Sequence, residues 1–234
     1  GFNPKGTDLR KGLGLTYRTL ASVLKYNNPI SLSRPNRKKA EKGYYLSESR
    51  LVSEIIKNVA SDGYTGKFKT VECQIMDIAD DIAYSVYDLE DAFKGGFIHP
   101  LDFISAHDKV FEEIIKDIIE KGIREEKEHL KECTIKEARS IVFKYLLPDD
   151  FISPNDKLYV PHLYVFSKAI AQAGYPRNRL TKDIVTKFVY STDIEFNEEH
   201  PPLSKVTIAP KIELAIEVLK RLTYYYQIQS PQLK

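Results

Sequence analysis

The chain has 234 residues and a net charge of +2, with 42% hydrophobic, 11% aromatic and 29% charged residues. That suffices for one substantial globular domain or two small ones, and it excludes whole-chain disorder. No run approaches the roughly 18 apolar residues of a spanning helix, the charge is too balanced to mark a nucleic-acid binder, and two cysteines without a CxxC pair exclude a disulfide scaffold or a cysteine zinc site.

Residues 1–5 carry no apolar leader, so a cytoplasmic protein with no membrane association is expected. Thr16 reads as the N-cap of a first helix running to about Tyr26, with Leu20, Val23 and Leu24 facing inward. Residues 27–45 read as a loop with Pro29, Pro35 and Gly43 and a basic run of Arg34, Arg37, Lys38, Lys39 and Lys42. Ser47 is expected to cap a second helix bearing Leu51, Ile55, Ile56 and Val59. A third helix spans about 69–93 and stops at Gly95-Gly96. After His99-Pro100, a charged fourth helix is expected over 101–123. Thr134 and Glu137 form a capping-box pattern for a fifth helix reaching about Tyr145. Residues 148–161, with three prolines, read as a loop, followed by short helices at 162–173 and 181–190 with a stop at Gly174. A small β excursion is expected near 193–209. Pro210 sits at the first position of a last helix that ends in Tyr224-Tyr225-Tyr226. The class is mainly α.

The third helix carries the chemistry. On a wheel at roughly 100° per residue, Asp77, Asp80, Asp81, Tyr84, Asp88 and Asp91 fall on one narrow stripe. Ile75, Met76, Ile78, Ala79, Ile82, Ala83, Val86 and Leu89 take the broad apolar side, which marks a central helix. No Lys or Arg interrupts the stripe from Glu72 to Asp91. Like charges one turn apart destabilise a helix, so this stripe calls for a cation, most simply a hard divalent metal ion.

The run Glu72-Cys73-Gln74-Ile75-Met76-Asp77-Ile78-Ala79-Asp80-Asp81-Ile82-Ala83-Tyr84-Ser85, continued by Asp88-Leu89-Glu90-Asp91, resembles the signature of dGTPase-like deoxynucleoside triphosphate triphosphohydrolases of the HD-domain superfamily. Leu15-Thr16-Tyr17-Arg18-Thr19-Leu20-Ala21, Leu24-Lys25-Tyr26 and Lys42-Gly43-Tyr44-Tyr45-Leu46-Ser47-Glu48 are similar to the same family, in the same order. The resemblance implies a partial HD-domain-like helical bundle, with 1–96 as the second part of the catalytic domain and 97–234 as a helical region packed on it. It implies that Asp80 is a ligand of a divalent metal, Mg²⁺ or Mn²⁺, that Tyr84 packs on the deoxyribose and that Asp88 accepts the sugar 3′-hydroxyl. Lys25, Tyr26 and Lys42 resemble residues lining the triphosphate pocket. The implied reaction converts a deoxynucleoside triphosphate, dGTP by default, to deoxynucleoside and inorganic triphosphate in a homo-oligomeric enzyme.

The family's remaining metal ligands, a His and a His-Asp dipeptide, would lie upstream of Leu15, yet no His precedes His99. The chain is therefore expected to be the second part of a longer enzyme, with an incomplete metal site, no catalytic residue of its own and no activity alone. His107-Asp108 lies on the wrong side of Asp80 and reads as a solvated turn. Arg177, Arg179 and Lys182 read as a solvated helix start, and Tyr224–Tyr226 as packing. The alternatives are a non-catalytic helical module binding nucleotides or single-stranded nucleic acid through the basic loop, and an HD phosphohydrolase acting on another nucleotide.

Overall fold

The computed structural model describes residues 13–30, 42–147 and 159–229. Among them are ten α-helices and one two-stranded sheet, so the chain is mainly α with a small β excursion. The helices are α1 (Tyr17–Val23), α2 (Ser49–Val59), α3 (Val71–Lys94), α4 (Pro100–Ile104), α5 (Asp108–Glu125), α6 (Glu128–Lys131), α7 (Ile135–Leu146), α8 (Tyr159–Gln172), α9 (Gly174–Val189) and α10 (Pro210–Tyr224). Strands β1 (Thr192–Glu195) and β2 (Lys205–Ile208) pair, with a 3₁₀ turn at Pro201–Leu203 between them. The basic residues Arg34, Arg37, Lys38 and Lys39, and most of the expected 148–161 loop, lie outside the described residues. No described helix is long and apolar enough to cross a membrane.

Local chemistry explains the boundaries. Thr16 accepts a hydrogen bond from the backbone N–H of Thr19 at 3.2 Å and starts α1, and Thr134 with Glu137 forms the expected capping box of α7. Pro210 opens α10, where its missing N–H leaves no helical bond unmade. Glu48, not Ser47, caps the turn before α2, by accepting from the Tyr45 N–H at 3.1 Å. The expected 101–123 helix is two helices, broken at residues 105–107, with His107 as N-cap of the second. Residues 159–161 are helical rather than loop, and α9 starts at Gly174, seven residues before the expected Thr181. Pro176 is tolerated there because it lies in the first turn.

The described residues fall into two compact units, divided between Asp77 and Ile78 within α3. The first holds the described residues up to Asp77 and residues 194–207. Its core is Ala21, Ile55 and Phe68, with Tyr17, Leu20, Leu24, Ile56, Val59 and Leu203 packed around them. Val23 and Leu51, expected inside, are exposed instead. Gln74 of α3 ties in the β excursion: its amide donates to Ser204 O at 2.9 Å and accepts from Val206 N–H at 3.0 Å.

The second unit holds 78–193 and the described residues from 208 on. Ile82, Val86, Leu89 and Phe93 of α3 pack there with Phe103, Phe111, Ile118, Val142, Phe188 and Leu219 in one continuous core. Ile75 and Ala79, assigned to the apolar side, are exposed, so the buried face of α3 is narrower than its apolar pattern. Within this unit α10 meets α5 and α6 through ion pairs. Glu217, only 2% exposed at its side chain, pairs with Lys121 at 2.6 Å and Arg221 at 3.1 Å. One turn earlier, Glu213 holds Lys127 and, at 2.9 Å, His129 Nε2.

Candidate functional site

The first unit brings Lys25, Tyr26 and Lys42 together. Lys25 and Tyr26 lie just past the end of α1, where the chain turns as the Lys25 N–H donates to Val23 O at 2.9 Å. Lys42 arrives from the far side of the connection. Residues 28–30 and 44 pair there like two strands, with Tyr44 N–H donating to Asn28 O at 3.0 Å and Ile30 N–H to Tyr44 O at 2.8 Å. Asn28 also donates through Nδ2 to Lys42 O at 2.8 Å. Gly43 makes this approach possible, because a Cβ there would overlap the Asn28 carbonyl. The result sets the Lys42 ammonium 5.5 Å from the Tyr26 ring centroid and 3.4 Å from its hydroxyl, with Lys25 Nζ 6.0 Å from the same ring.

Asp77, at the end of this unit, is where the carboxylate stripe meets its counter-charge. Lys25 Nζ pairs with Oδ1 at 3.0 Å, and Lys69 binds Oδ2. Burial pushes the Asp77 carboxyl up, but the ammonium groups of Lys69 and Lys25 outweigh it and hold the group below the usual carboxylate range. Two ammonium ions thus occupy Asp77. Lys69 was not legible as a site residue, since its nearest signal is a two-turn offset from Asp77 across a helix start.

In the second unit Asp80, Tyr84 and Asp88 stand one turn apart along the exposed side of α3. Lys220 of α10 pairs with Asp81 at 2.8 Å and lies 5.9 Å from the Tyr84 ring centroid. Lys220 is another residue the sequence pattern missed: it is 139 positions from Asp81, and nothing local points to it. Burial, reinforced by Asp91, pushes the Asp88 carboxyl up, and Lys220 partly offsets this. Gln227 donates to the Asp88 backbone carbonyl at 3.2 Å.

A divalent metal needs several oxygen or nitrogen donors in one place. Among the described residues no group of three His, Cys, Asp or Glu side chains is arranged to hold one. Asp77 and Asp81 are engaged by lysines, so Asp80 by itself does not make a metal site. His107 Nδ1 accepts from the Lys109 N–H at 3.3 Å, and Asp108 pairs with Arg139 at 2.6 Å, so this dipeptide is a helix cap. Arg177 is buried rather than solvated: its Nη1 donates to Ile170 O at 3.0 Å and closes the end of α8. Tyr226 packs its ring on Phe103 at 5.3 Å and donates to Asp102 O at 3.2 Å, and Tyr225 packs on the same core as expected, whereas Tyr224 is exposed.

Clustered lysines beside a carboxylate-lined helix are the main chemistry of the described residues, and comparison with known proteins gives the family. No family model matches the chain. The chain is 33% identical to deoxyguanosinetriphosphate triphosphohydrolase-like protein 2 of Mesorhizobium japonicum, over 99% of its own length and 52% of that relative's. It is 27% identical to the deoxyguanosinetriphosphate triphosphohydrolase-like protein of Shewanella woodyi, over 95% of its length and 49% of that relative's. The Shewanella baltica protein of the same name is 26% identical over 72% of the chain. The chain belongs to this dGTPase-like family, and it spans about half the length of these first two relatives.

Two predictions follow from the lysine cluster. Gly43→Ala should force residues 28–30 and 44 apart, at a cost of about 1–3 kcal/mol for an overpacked contact; a urea unfolding midpoint equal to wild type would refute the close approach. Because the Asp77 pKa is lowered on folding, its contribution is present above the unfolded carboxylate value near 4 and is lost as pH falls below it. Asp77→Asn should therefore lower stability at pH 7 and flatten the acid limb of a melting-temperature profile between about pH 4 and pH 2. An unchanged acid limb would show that the carboxylate is not stabilised by its lysines.

Proposed function

We propose that this chain is part of a hydrolase that converts a deoxynucleoside triphosphate, dGTP by default, to deoxynucleoside and inorganic triphosphate. The observation that carries this reading is the gathering of Lys25, Tyr26 and Lys42, from segments 16 residues apart, around one tyrosine ring. The relatives' name supplies the substrate class. In this reaction water adds to the α-phosphorus, the bond to the 5′ oxygen breaks, and that oxygen leaves with a proton as the nucleoside hydroxyl. Negative charge stays on the phosphate chain throughout. The ammonium groups of Lys25 and Lys42 would offset it as point charges, and the Tyr26 hydroxyl, which accepts from Lys42, would have its own proton to donate to a phosphate oxygen.

On α3, the exposed Tyr84 ring would lie against the C2′ face of the deoxyribose, and the Asp88 carboxylate would accept the 3′-hydroxyl. Asp80 would be one ligand of a divalent cation, Mg²⁺ or Mn²⁺, which when bound supplies polarisation of the α-phosphate. A lone carboxylate does not retain such an ion, so the chain by itself is inactive in this reading. The reading includes a cytoplasmic location and a homo-oligomeric enzyme.

The purified 234-residue chain, given dGTP with Mn²⁺ or Mg²⁺, should release triphosphate no faster than the uncatalysed background. Clear turnover would overturn the incomplete-site reading. In the longest protein its gene encodes, Tyr84→Ala should narrow the preference for dGTP over GTP by about tenfold, because shape exclusion of one hydroxyl is worth on the order of 1–3 kcal/mol. The ratio of kcat/KM for the two nucleotides checks it; equal loss on both, with the ratio untouched, removes Tyr84 from the sugar wall.

A further inference from the structure

Two rows of side chains diverge from Tyr84 along α3. Asp88 stands four residues on; Tyr87 stands three residues on, with Glu90 a further three beyond it. On a helix, positions three and four apart are neighbours, with Cβ atoms about 5–6 Å from each other. Tyr84 and Tyr87 are 56% and 54% exposed, so both rings stand clear of the second unit's core.

The Tyr87 row leads into a cavity of about 370 Å³ between α3 and α9, inside the second unit. Tyr87 and Glu90 line it from α3, and Asn178, Lys182 and Val185 from α9. The Asn178 amide donates through Nδ2 to Glu90 Oε1 at 2.9 Å and to Gly174 O at 3.1 Å. Glu90 Oε2 accepts no hydrogen bond from the described residues, and Lys182 makes no ion pair among them.

A cavity of this size falls within the range of small-ligand pockets. Its lining selects a chemical class. The Tyr87 ring offers a face on which a flat heterocycle stacks. A carboxylate only accepts hydrogen bonds, and an ammonium group only donates them. A matching ligand therefore presents donors to Glu90 and an acceptor to Lys182 along one flat edge. Guanine does so: its N1–H and 2-amino group are adjacent donors, and O6 beside them is an acceptor. Adenine and cytosine turn a ring-nitrogen acceptor toward the same place, which a carboxylate repels. In a nucleoside the base and the 3′-hydroxyl leave the sugar in different directions. With the sugar on Tyr84, one row carries the 3′-hydroxyl to Asp88 and the other carries the base to Tyr87 and Glu90.

We propose that this cavity is the base-reading subsite for the deoxynucleotide. Tyr87 stacks on the base, Glu90 accepts from the N1–H and 2-amino group of guanine, and Lys182 donates to O6. Asn178 is a positioning residue that orients the Glu90 carboxylate. This deepens the reading of Tyr84 and Asp88 as the deoxyribose wall and rests on it. The step is binding alone, with no covalent bond made or broken.

The test compares dGTP, dATP and dITP, the analogue without the 2-amino group, as substrates of the longest protein the gene encodes. Wild type should prefer dGTP to dITP by about tenfold, and to dATP by more. Glu90→Gln keeps the size of the side chain and replaces one acceptor with a donor. It should lower kcat/KM for dGTP by about tenfold and raise it for dATP, because the new amide can donate to adenine N1. Lys182→Met should slow dGTP and dITP equally, since both carry O6. Tyr87→Ala should raise KM for dGTP and dATP alike by about tenfold, and Tyr87→Phe should keep the wild-type KM, because stacking needs the ring and not the hydroxyl. If Glu90→Gln slows dGTP and dATP equally, its role is structural and the proposal is overturned. No loss from Tyr87→Ala or from Lys182→Met also overturns it. A wild type that hydrolyses dGTP, dITP and dATP equally well overturns it and leaves the triphosphohydrolase reading intact. A wild type that hydrolyses no deoxynucleoside triphosphate removes that reading, and the proposal with it.

Discussion

A helix that carries acidic side chains along one side, with no basic residue of its own from Glu72 to Asp91, cannot neutralise itself. Every counter-charge must be delivered by another part of the chain. Arg18 of α1 meets Glu72 at 2.6 Å, Lys25 and Lys69 meet Asp77, and Lys220 of α10 meets Asp81. The demand made by α3 therefore places the ammonium groups of Lys25, Lys69 and Lys220. Asp80, Tyr84 and Asp88 stand on the exposed side of the same helix.

The delivery of Lys220 depends on how α10 is held. Its apolar residues, among them Ile212, Ala215, Leu219 and Leu222, enter the core of the second unit. Close packing of that kind already constrains the rotation of the helix. Glu217 and Glu213, one turn apart, bind Lys121 and Lys127 at and just past the end of α5 and fix it. Removing one partner of a buried pair typically costs about 3–5 kcal/mol, whereas sliding α10 by a residue would break both pairs together. The rotation that satisfies these glutamates is also the one that points Lys220 at Asp81.

What the sequence made legible is what local chemistry decides. Thr16, the Thr134–Glu137 box, Pro210 and the β excursion near 193–209 each announce themselves within a few residues. The break at 105–107 did not, because Phe103 and Ile104 are followed by Val110 and Phe111 at a spacing that one continuous helix would also produce. Gly174 reads as a helix stop, although a helix accepts glycine and proline in its first turn. In the site, Lys25, Tyr26 and Lys42 were reachable through family motifs. Lys69 and Lys220 were not, since their roles exist only when distant segments are brought against Asp77 and Asp81.

The strand-like closure at residues 28–30 and 44 separates two properties of the connection it ends. Lys42 is placed by the Asn28 amide and by the absence of a Cβ at Gly43, both of which belong to the closure. Loop-closure entropy grows only logarithmically with the number of residues between two closing points, by about 0.6 kcal/mol for each doubling of length. Evolution can therefore lengthen, shorten or recharge the stretch between the two closing segments while the lysine stays at its tyrosine.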